Sequence, residues 1–338
     1  MKIFIDSYNR CTQNTAGGVQ SKIIDYYHVL MNKGIDVKLF DKWNDKLSDC
    51  DIVHFFSLTP EYFFEIPYIK GMGKKVVISS IVPISGKFKI KMNIAADRYL
   101  NLHTLVSCNK VILNLCDLII AETSKEKQFI MDAYGADPSK IVVIPNGISP
   151  EILGGDARLF REKYEESGDF VIQVGRIDHN KNLLSVIKAL DGTNIPLYVI
   201  GGPAKGQEKY YEECRKCANS NVHFLGWIKH DDPMLKSALR AAKVLVLPSF
   251  EEIFGNAIFE ALANGTNVVA SNVLPVDEWG LDSVVETINP HDVGDIKEKL
   301  LRAIAKNVDT EVEKRVLREF SYEAITDRHI ELYKSMIG

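Results

Sequence analysis

The sequence has no long hydrophobic run. About 18 uninterrupted apolar residues suggest a membrane span, and the nearest candidate, residues 111–120, is broken by Asn114 and Asp117. At the start of the chain, Asp6 precedes any apolar core of the length that a secretory signal requires. We therefore expect a cytoplasmic protein, attached if at all to the inner face of the membrane.

Cysteine is also scarce and scattered. The chain has six cysteines, as in proteins of a reducing compartment, and the single C-x-x-C pair at Cys214 and Cys217 lacks the second pair that a zinc site needs. Asp49 and Asp51 form a D-x-D sequence, which is short enough to occur by chance. We expect no metal and no cofactor.

Acidic residues are scarce in one stretch of the chain, residues 70–110. The net charge is −4, but residues 1–150 carry 18 Lys and Arg against 15 Asp and Glu. Within residues 70–110, Asp97 is the one acid, and the bases are Lys70, Lys74, Lys75, Lys87, Lys89, Lys91, Arg98 and Lys110. Such a stretch attracts an anionic ligand or an anionic membrane surface. An ordinary solvated loop and helix is the alternative.

Short apolar runs alternate with helical patterns along the whole chain, in two rounds. The first round predicts strands at residues 2–6, 36–40, 51–56, 75–79, 118–122 and 140–144. The second predicts strands at residues 170–174, 197–200, 222–225, 244–247, 267–270 and 283–288. This pattern indicates an α/β protein with two parallel-sheet domains, for which ligands bind beyond the carboxyl ends of the strands.

The segment 244–265 carries the clearest chemistry. A buried strand is followed by a loop that contains Glu252, and a helix begins near Gly255 and contains Glu260. A glycine in the first turn lets an anion approach the unpaired backbone N–H groups, which suits a diphosphate. Two carboxylates on either side can accept hydrogen bonds from hydroxyls, which matches the layout of a nucleotide-sugar. The eight-residue spacing alone is weak, since Glu278 and Glu286 share it.

The same segment resembles the E-x7-E region of the retaining GT-B glycosyltransferases of family 4. Their usual pattern is P-S-x-x-E-x-F-G-x-x-x-x-E-A-x-A-x-G, and every element is present from Pro248 to Gly265. The resemblance implies that Glu252 faces the donor sugar and that Glu260 binds the ribose hydroxyls. It also implies a donor diphosphate near Phe254, Gly255 and Asn256.

Two further motifs of the second half resemble this family. Arg176 and Lys181 stand in a V-G-R-x-x-x-x-K-N motif, where two cations can neutralise a diphosphate leaving group without a metal. Gly226 and Ile228 stand in an F-x-G-x-[VIL] turn, which the resemblance places at the nucleobase.

The first half matches less completely. Gly17 and Gly18 follow the first strand and would let backbone approach the donor phosphate. Many relatives carry a histidine after a middle strand, where this chain has Ser80. We expect Ser80 and His54 to lie on the acceptor side, although His54 is equally consistent with a structural residue.

The resemblance implies two Rossmann-like domains that face each other across a cleft, at residues 1–148 and 149–320. A C-terminal helix within residues 321–338 is expected to cross back to the first domain. The implied activity is retaining transfer of a sugar from a UDP- or GDP-sugar to an acceptor hydroxyl in bacterial polysaccharide, lipopolysaccharide, capsule or glycolipid assembly. The alternatives are an isomerase like the UDP-sugar 2-epimerases and a non-catalytic nucleotide-sugar-binding protein.

Overall fold

The alternation of apolar runs and amphipathic stretches folds as two parallel sheets covered by helices. The computed structural model describes residues 1–12, 18–100 and 104–338, without the side chains of Arg10 and Arg98. In these residues each sheet has six strands, and all neighbouring strands run parallel. The predicted α/β fold class is confirmed.

The strands of the first sheet are β1 (Lys2–Ser7), β2 (Asp36–Leu39), β3 (Ile52–Phe56), β4 (Lys75–Ser79), β5 (Leu118–Ala121) and β6 (Ile141–Val143). Those of the second are β7 (Val171–Val174), β8 (Leu197–Ile200), β9 (Val222–Gly226), β10 (Val244–Leu247), β11 (Asn267–Ser271) and β12 (Glu286–Ile288). Each predicted run forms a strand. The last is shorter than predicted, because the amides of Val284 and Val285 bond to Leu281 in a turn.

Helices connect these strands. Before β6 they are α1 (Asn9–Thr12), α2 (Gly18–Asn32), α3 (Glu65–Gly71), α4 (Lys87–Leu100), α5 (Leu105–Leu115) and α6 (Ser124–Tyr134). After β6 they are α7 (Ala157–Tyr164), α8 (Leu183–Leu190), α9 (Glu208–Cys217), α10 (Pro233–Ala241), α11 (Asn256–Ala263), α12 (Val293–Ala305), α13 (Thr310–Phe320) and α14 (Tyr322–Ile337).

The chain divides into two compact units. The first contains Met1–Gly147 together with Tyr322–Gly338, and its strand order is β2-β1-β3-β4-β5-β6. The second contains Ile148–Ser321, and its strand order is β12-β11-β10-β7-β8-β9. In both units the central strands are buried between helices, which explains why their sequences are apolar throughout rather than alternating, whereas the edge strands β2 and β9 are more exposed.

The C-terminal helix α14 is part of the first unit and packs against α2. A chain of hydrogen bonds fixes it there: Tyr333 Oη lies 2.6 Å from Tyr26 Oη and 2.6 Å from His54 Nδ1. The other ring nitrogen of His54 lies 2.9 Å from Ser79 Oγ. Because these groups are buried, each needs a partner inside the unit, and the network provides one.

This network corrects the expectation for His54. The imidazole is fully buried, and both of its nitrogens form hydrogen bonds within the first unit. It therefore presents no atom to an acceptor substrate. Burial lowers the pKa of His54 well below its ordinary value, and the neighbouring His329 adds to the effect. His54 is therefore a neutral structural residue.

The burial of His329 in α14 can be tested through the pH dependence of stability. Burial lowers its pKa from 6.5 to about 3, so the unfolded chain takes up a proton first as the pH falls. This side chain should therefore lower the free energy of unfolding by about 2 kcal/mol between pH 7 and pH 5. Urea unfolding of His329→Gln should show a correspondingly weaker pH dependence than the unsubstituted chain. The exposed His28→Gln variant is the control, and equal pH dependence in all three proteins would contradict the assignment.

Candidate functional site

In the second unit, the loops that carry the predicted site residues follow neighbouring strands. Residues 175–182 follow β7 and residues 248–255 follow β10, and these two strands pair directly in the sheet. Because parallel strands end at the same edge, both loops emerge side by side. The sequence therefore brings Arg176, Lys181 and Glu252 to one edge of one sheet.

Asn180 joins the two loops. Its side chain bonds both backbone groups of Glu251, donating to the carbonyl at 2.9 Å and accepting from the amide at 2.8 Å. The amide of Phe250 also donates to the Asn180 carbonyl at 2.9 Å. Asn182 adds bonds to the carbonyls of Pro248 and Pro290. The two loops thus form one hydrogen-bonded surface.

Lys181 and Glu252 form an ion pair at the centre of that surface. Lys181 Nζ lies 2.6 Å from Glu252 Oε2, and the two side chains are 19% and 18% exposed. Arg176 is different: its guanidinium is 65% exposed, and its contact with Asp178 is long, at 3.9 Å. The two predicted cations are therefore not equivalent, since Lys181 is engaged by Glu252 and Arg176 is open to an incoming anion.

The loop after β10 ends in a helix start that only glycine fits well. Gly255 has a φ of 75°, in the left-handed region, and a Cβ there would lie 3.1 Å from Leu247 and 3.2 Å from Leu274. Asn256 then begins α11, and the N-cap position is Gly255, which has no side chain with which to cap this end. The positive end of the helix dipole thus lies at the same edge as Arg176 and Lys181.

Phe254 holds this loop to the core through its ring. The ring is buried and stacks on Phe259 with the centroids 4.4 Å apart, while Trp279 packs at its edge. The prediction of a diphosphate near Phe254, Gly255 and Asn256 therefore concerns the backbone of this segment and stays a prediction.

Glu260 lies in the second turn of α11, and its carboxylate is 3.2 Å from Nε2 of His230. His230 was not among the predicted residues, and it follows Gly226 and Ile228 closely in the sequence. Trp227, which lies between Gly226 and Ile228, packs directly over Gly202: a Cβ on Gly202 would lie 2.4 Å from Trp227 Nε1. The Trp227 side chain is otherwise largely exposed.

In the first unit, Gly17 lies outside the described residues, and Gly18 is the exposed first residue of α2. Ser80 is fully buried, with its hydroxyl 3.1 Å from the Ile120 carbonyl and 2.7 Å from Glu126 Oε1. The expectation that its side chain lines an acceptor surface is corrected, because the hydroxyl points into the unit. In the described part of the chain, no group of three His, Cys, Asp or Glu side chains is placed to hold a metal ion.

Two family models match the chain. One, described as glycosyl transferases group 1, covers residues 156–319, and the other, described as glycosyltransferase family 4, covers residues 35–152. The chain belongs to the glycosyltransferase family that these two models describe. The resemblance read from the motifs is thereby confirmed.

Curated relatives of this glycosyltransferase-family chain include the D-inositol 3-phosphate glycosyltransferases of Mycobacterium tuberculosis (strain ATCC 25618 / H37Rv) and Mycobacterium bovis (strain BCG / Pasteur 1173P2). Each is 31% identical over 245 residues, which are 67% of this chain and 50% of the relative. The chain thus spans about half the length of the curated relatives it matches.

Solved structures of similar fold include sucrose-phosphate synthase from Thermosynechococcus elongatus, at 17% identity and a TM-score of 0.76, covering 99% of both chains. Another is the Anabaena HepE protein in complex with UDP, at 15% identity and a TM-score of 0.77, covering 99% of this chain and 100% of that one. At this identity the likeness shows the GT-B fold.

The loop junction yields a prediction. Asn180→Ala removes both side-chain bonds to Glu251, so the amide of Glu251 loses its partner and the loop should open more readily. We expect hydrogen exchange of this amide to accelerate by about fivefold or more, since one lost hydrogen bond is worth roughly 1 kcal/mol or more. Asn219→Ala, on the exposed far loop of the same unit, is the control. Unchanged exchange at residues 250–252 would show that the loops do not depend on Asn180.

Proposed function

We propose that this protein is a retaining glycosyltransferase that moves a sugar from a nucleotide-sugar to an acceptor hydroxyl. The observation that carries the proposal is the combination at one sheet edge of an open guanidinium, a lysine–glutamate pair and a helix start with glycine at the N-cap. Family membership supports it. The similar HepE protein was solved with UDP and with UDP-glucose, which favours a UDP-sugar over a GDP-sugar as the donor.

Each group has a role in this proposal. As the bond between the anomeric carbon and the diphosphate breaks, negative charge grows on the leaving phosphate. Arg176 and the amides at the start of α11 stabilise that charge more than they stabilise the intact donor. Glu252 accepts hydrogen bonds from the sugar hydroxyls, and Glu260, oriented by His230, accepts those of the ribose. The acceptor hydroxyl attacks the anomeric carbon on the side from which the phosphate departs, and the leaving phosphate accepts the proton of that hydroxyl.

The ion pair gives Lys181 a second role. The charge of Lys181 is matched by Glu252, so this partly buried pair leaves Arg176 as the exposed cation of the edge. When a donor binds, Lys181 can add the β-phosphate as a partner while it still orients the carboxylate. Together with Arg176 it supplies the positive charge that other transferases obtain from a metal ion, so we propose metal-independent transfer.

Substitution tests these roles. Arg176→Ala and Glu252→Ala should each lower kcat by roughly 10²–10³-fold, as expected for loss of one group that stabilises the transition state. Release of UDP from a panel of UDP-sugars, with and without EDTA, gives the rate. Arg158→Ala and Glu298→Ala, which change exposed residues of the same unit, are the matched controls.

The outcome separates the alternatives. Near-normal rates in both folded variants would contradict the site. An epimer formed from the donor alone would favour an isomerase, and donor binding without turnover across the acceptor panel would favour a binding protein.

We further propose that the acceptor is met at an anionic membrane surface, as in assembly of a polysaccharide, lipopolysaccharide, capsule or glycolipid. In α4, Phe88, Met92 and Tyr99 are 77%, 56% and 83% exposed. At about 100° per residue they fall within ~40° of one another on the helix. Lys87, Lys89 and Lys91 lie on both sides of this apolar stripe, which is the arrangement of a helix that lies in a lipid interface. No described helix is long and apolar enough to cross a bilayer.

Flotation with vesicles tests the surface. The protein should float with vesicles that contain phosphatidylglycerol and less with pure phosphatidylcholine, because the lysines add an electrostatic attraction. The double variant Phe88→Ser and Met92→Ser should reduce flotation by about tenfold or more, since about 25 cal/mol is lost per Å² of apolar area no longer buried. Phe64→Ser, an equally exposed phenylalanine outside α4, is the control. The proposal would be overturned if the protein floated with neither kind of vesicle.

A further inference from the structure

A pocket lies between α4, α5 and the end of α6 in the first unit. Its volume is about 320 Å³. Pockets for small molecules usually measure about 300–1,000 Å³, so this one is at the small end of the range. It suits a compact head group better than a whole nucleotide-sugar.

The lining of the pocket combines buried apolar surface with polar groups nearer to solvent. Ala133 and Tyr134 belong to the core of the unit, whereas Lys91 and Tyr99 are exposed and Lys110 is half-buried. An apolar wall with a few polar groups is the usual composition of a site for a small ligand. Here the charged groups among the lining residues are both cations.

The two lysines of the lining are not compensated by an acid. Within the described residues, neither Lys91 nor Lys110 forms an ion pair or a side-chain hydrogen bond. Asp132 is near enough to Lys91 for the two charges to interact, but its oxygens already have partners. Lys87 binds one of them, and Gln128 Nε2 donates to the other at 3.0 Å. The pocket therefore has an excess of positive charge, which attracts an anion.

The pocket lies beside the exposed apolar stripe of α4, and Tyr99 belongs to both. At about 100° per residue, Ala95 and Lys91 lie ~40° and ~80° to one side of Tyr99. Ile94, which packs against the core, lies ~140° from Tyr99 on the same side. The pocket thus occupies the flank of α4 between its core face and its apolar stripe. When such a helix lies in a lipid interface with its stripe among the acyl chains, this flank is at the depth of the head groups.

The pocket is separate from the carboxyl edge of the first sheet. Because β5 and β6 are parallel neighbours, α6 runs from the carboxyl end of β5 back to the amino end of β6. The end of α6, which lines the pocket with residues 133–135, therefore lies away from the carboxyl edge, where substrates of such sheets bind. A ligand in this pocket would attach the protein to a surface and would not take part in transfer.

We propose that this pocket binds the phosphodiester head group of an anionic membrane lipid. Lys91 and Lys110 contact the phosphate through charge-assisted hydrogen bonds, and the acyl chains lie along the apolar stripe of α4. The stem of Lys91 can follow the helix while its ammonium group reaches the phosphate, as lysines at interfaces do. The inference rests on the membrane surface proposed above, and it adds a site that selects the head group.

Calorimetric titration of the full chain with a soluble lipid tests the proposal without a membrane or a substrate. Dihexanoyl phosphatidylglycerol, kept below its micelle concentration, should bind at a single site per chain, and dihexanoyl phosphatidylcholine should not saturate. Inorganic phosphate should bind about tenfold more weakly or worse, because it has no apolar part to bury. Equal binding of the two lipids would overturn the proposal, and so would phosphate that binds as tightly as phosphatidylglycerol.

Charge substitutions locate the site. The double variant Lys91→Gln and Lys110→Gln should weaken the binding of dihexanoyl phosphatidylglycerol by about tenfold or more, because each lysine near an anionic lipid adds a several-fold attraction. The double variant Lys46→Gln and Lys89→Gln is the matched control, since both residues are exposed and the net charge changes equally. Lys89 lies ~80° from Tyr99 on the side opposite to Lys91. An equal loss of affinity in the two double variants would overturn the proposal.

Ala95→Phe tests the pocket itself, because it fills space at an exposed position and keeps both lysines. The variant should weaken the single-site binding by about tenfold or more, as loss of the buried contacts requires, and should still float with phosphatidylglycerol vesicles. An unchanged Kd in this variant would overturn the proposal. If the unsubstituted protein does not float, the membrane surface fails as a separate result. Saturable binding in the titration would then still support the head-group site, and absence of saturation would overturn it.

Discussion

The pairing of β7 with β10 is the constraint on which the second unit's site depends. Because the two strands are neighbours and parallel, the loop after each must leave the sheet at the same edge. The residues that carry charge are thereby brought within bonding distance although about 70 positions separate them in the chain. The bonds of Asn180 to Glu251 then convert that proximity into a fixed geometry, in which one cation is compensated and the other is exposed.

The fold could be predicted because its strands are apolar on both faces and its turns are rich in glycine, which are local signals. The start of β12 could not be placed, since Val284 and Val285 are as apolar as strand residues but bond to Leu281 in a turn. Within the site, the motif identified Arg176, Lys181, Glu252 and Gly255 as residues of one edge. It could not show that Lys181 and Glu252 pair with each other, because that depends on side-chain placement across two loops.

The prediction for Ser80 fails for a packing reason. Its position after a strand places it on the acceptor side, but its side chain is buried, as is that of His54, for which a structural role is the other prediction. A residue after a strand can point outward or inward with equal local sequence, and only the packing partners decide. His230 is missed for a different reason: a histidine in a loop is ordinary there, and its partner Glu260 lies 30 residues away.

The assignment of α14 to the first unit has a consequence for how the chain folds during synthesis. The second unit is continuous, so every residue it needs has been made by Ser321. The first unit lacks Tyr333 until the second unit has been translated, and the buried faces of Tyr26 and His54 remain open until then. Although the strands of the first unit are made earlier, this unit is completed after the second. During that interval the first unit exposes apolar surface. Chaperones, or rapid synthesis of the residues up to Tyr333, must then protect it from aggregation.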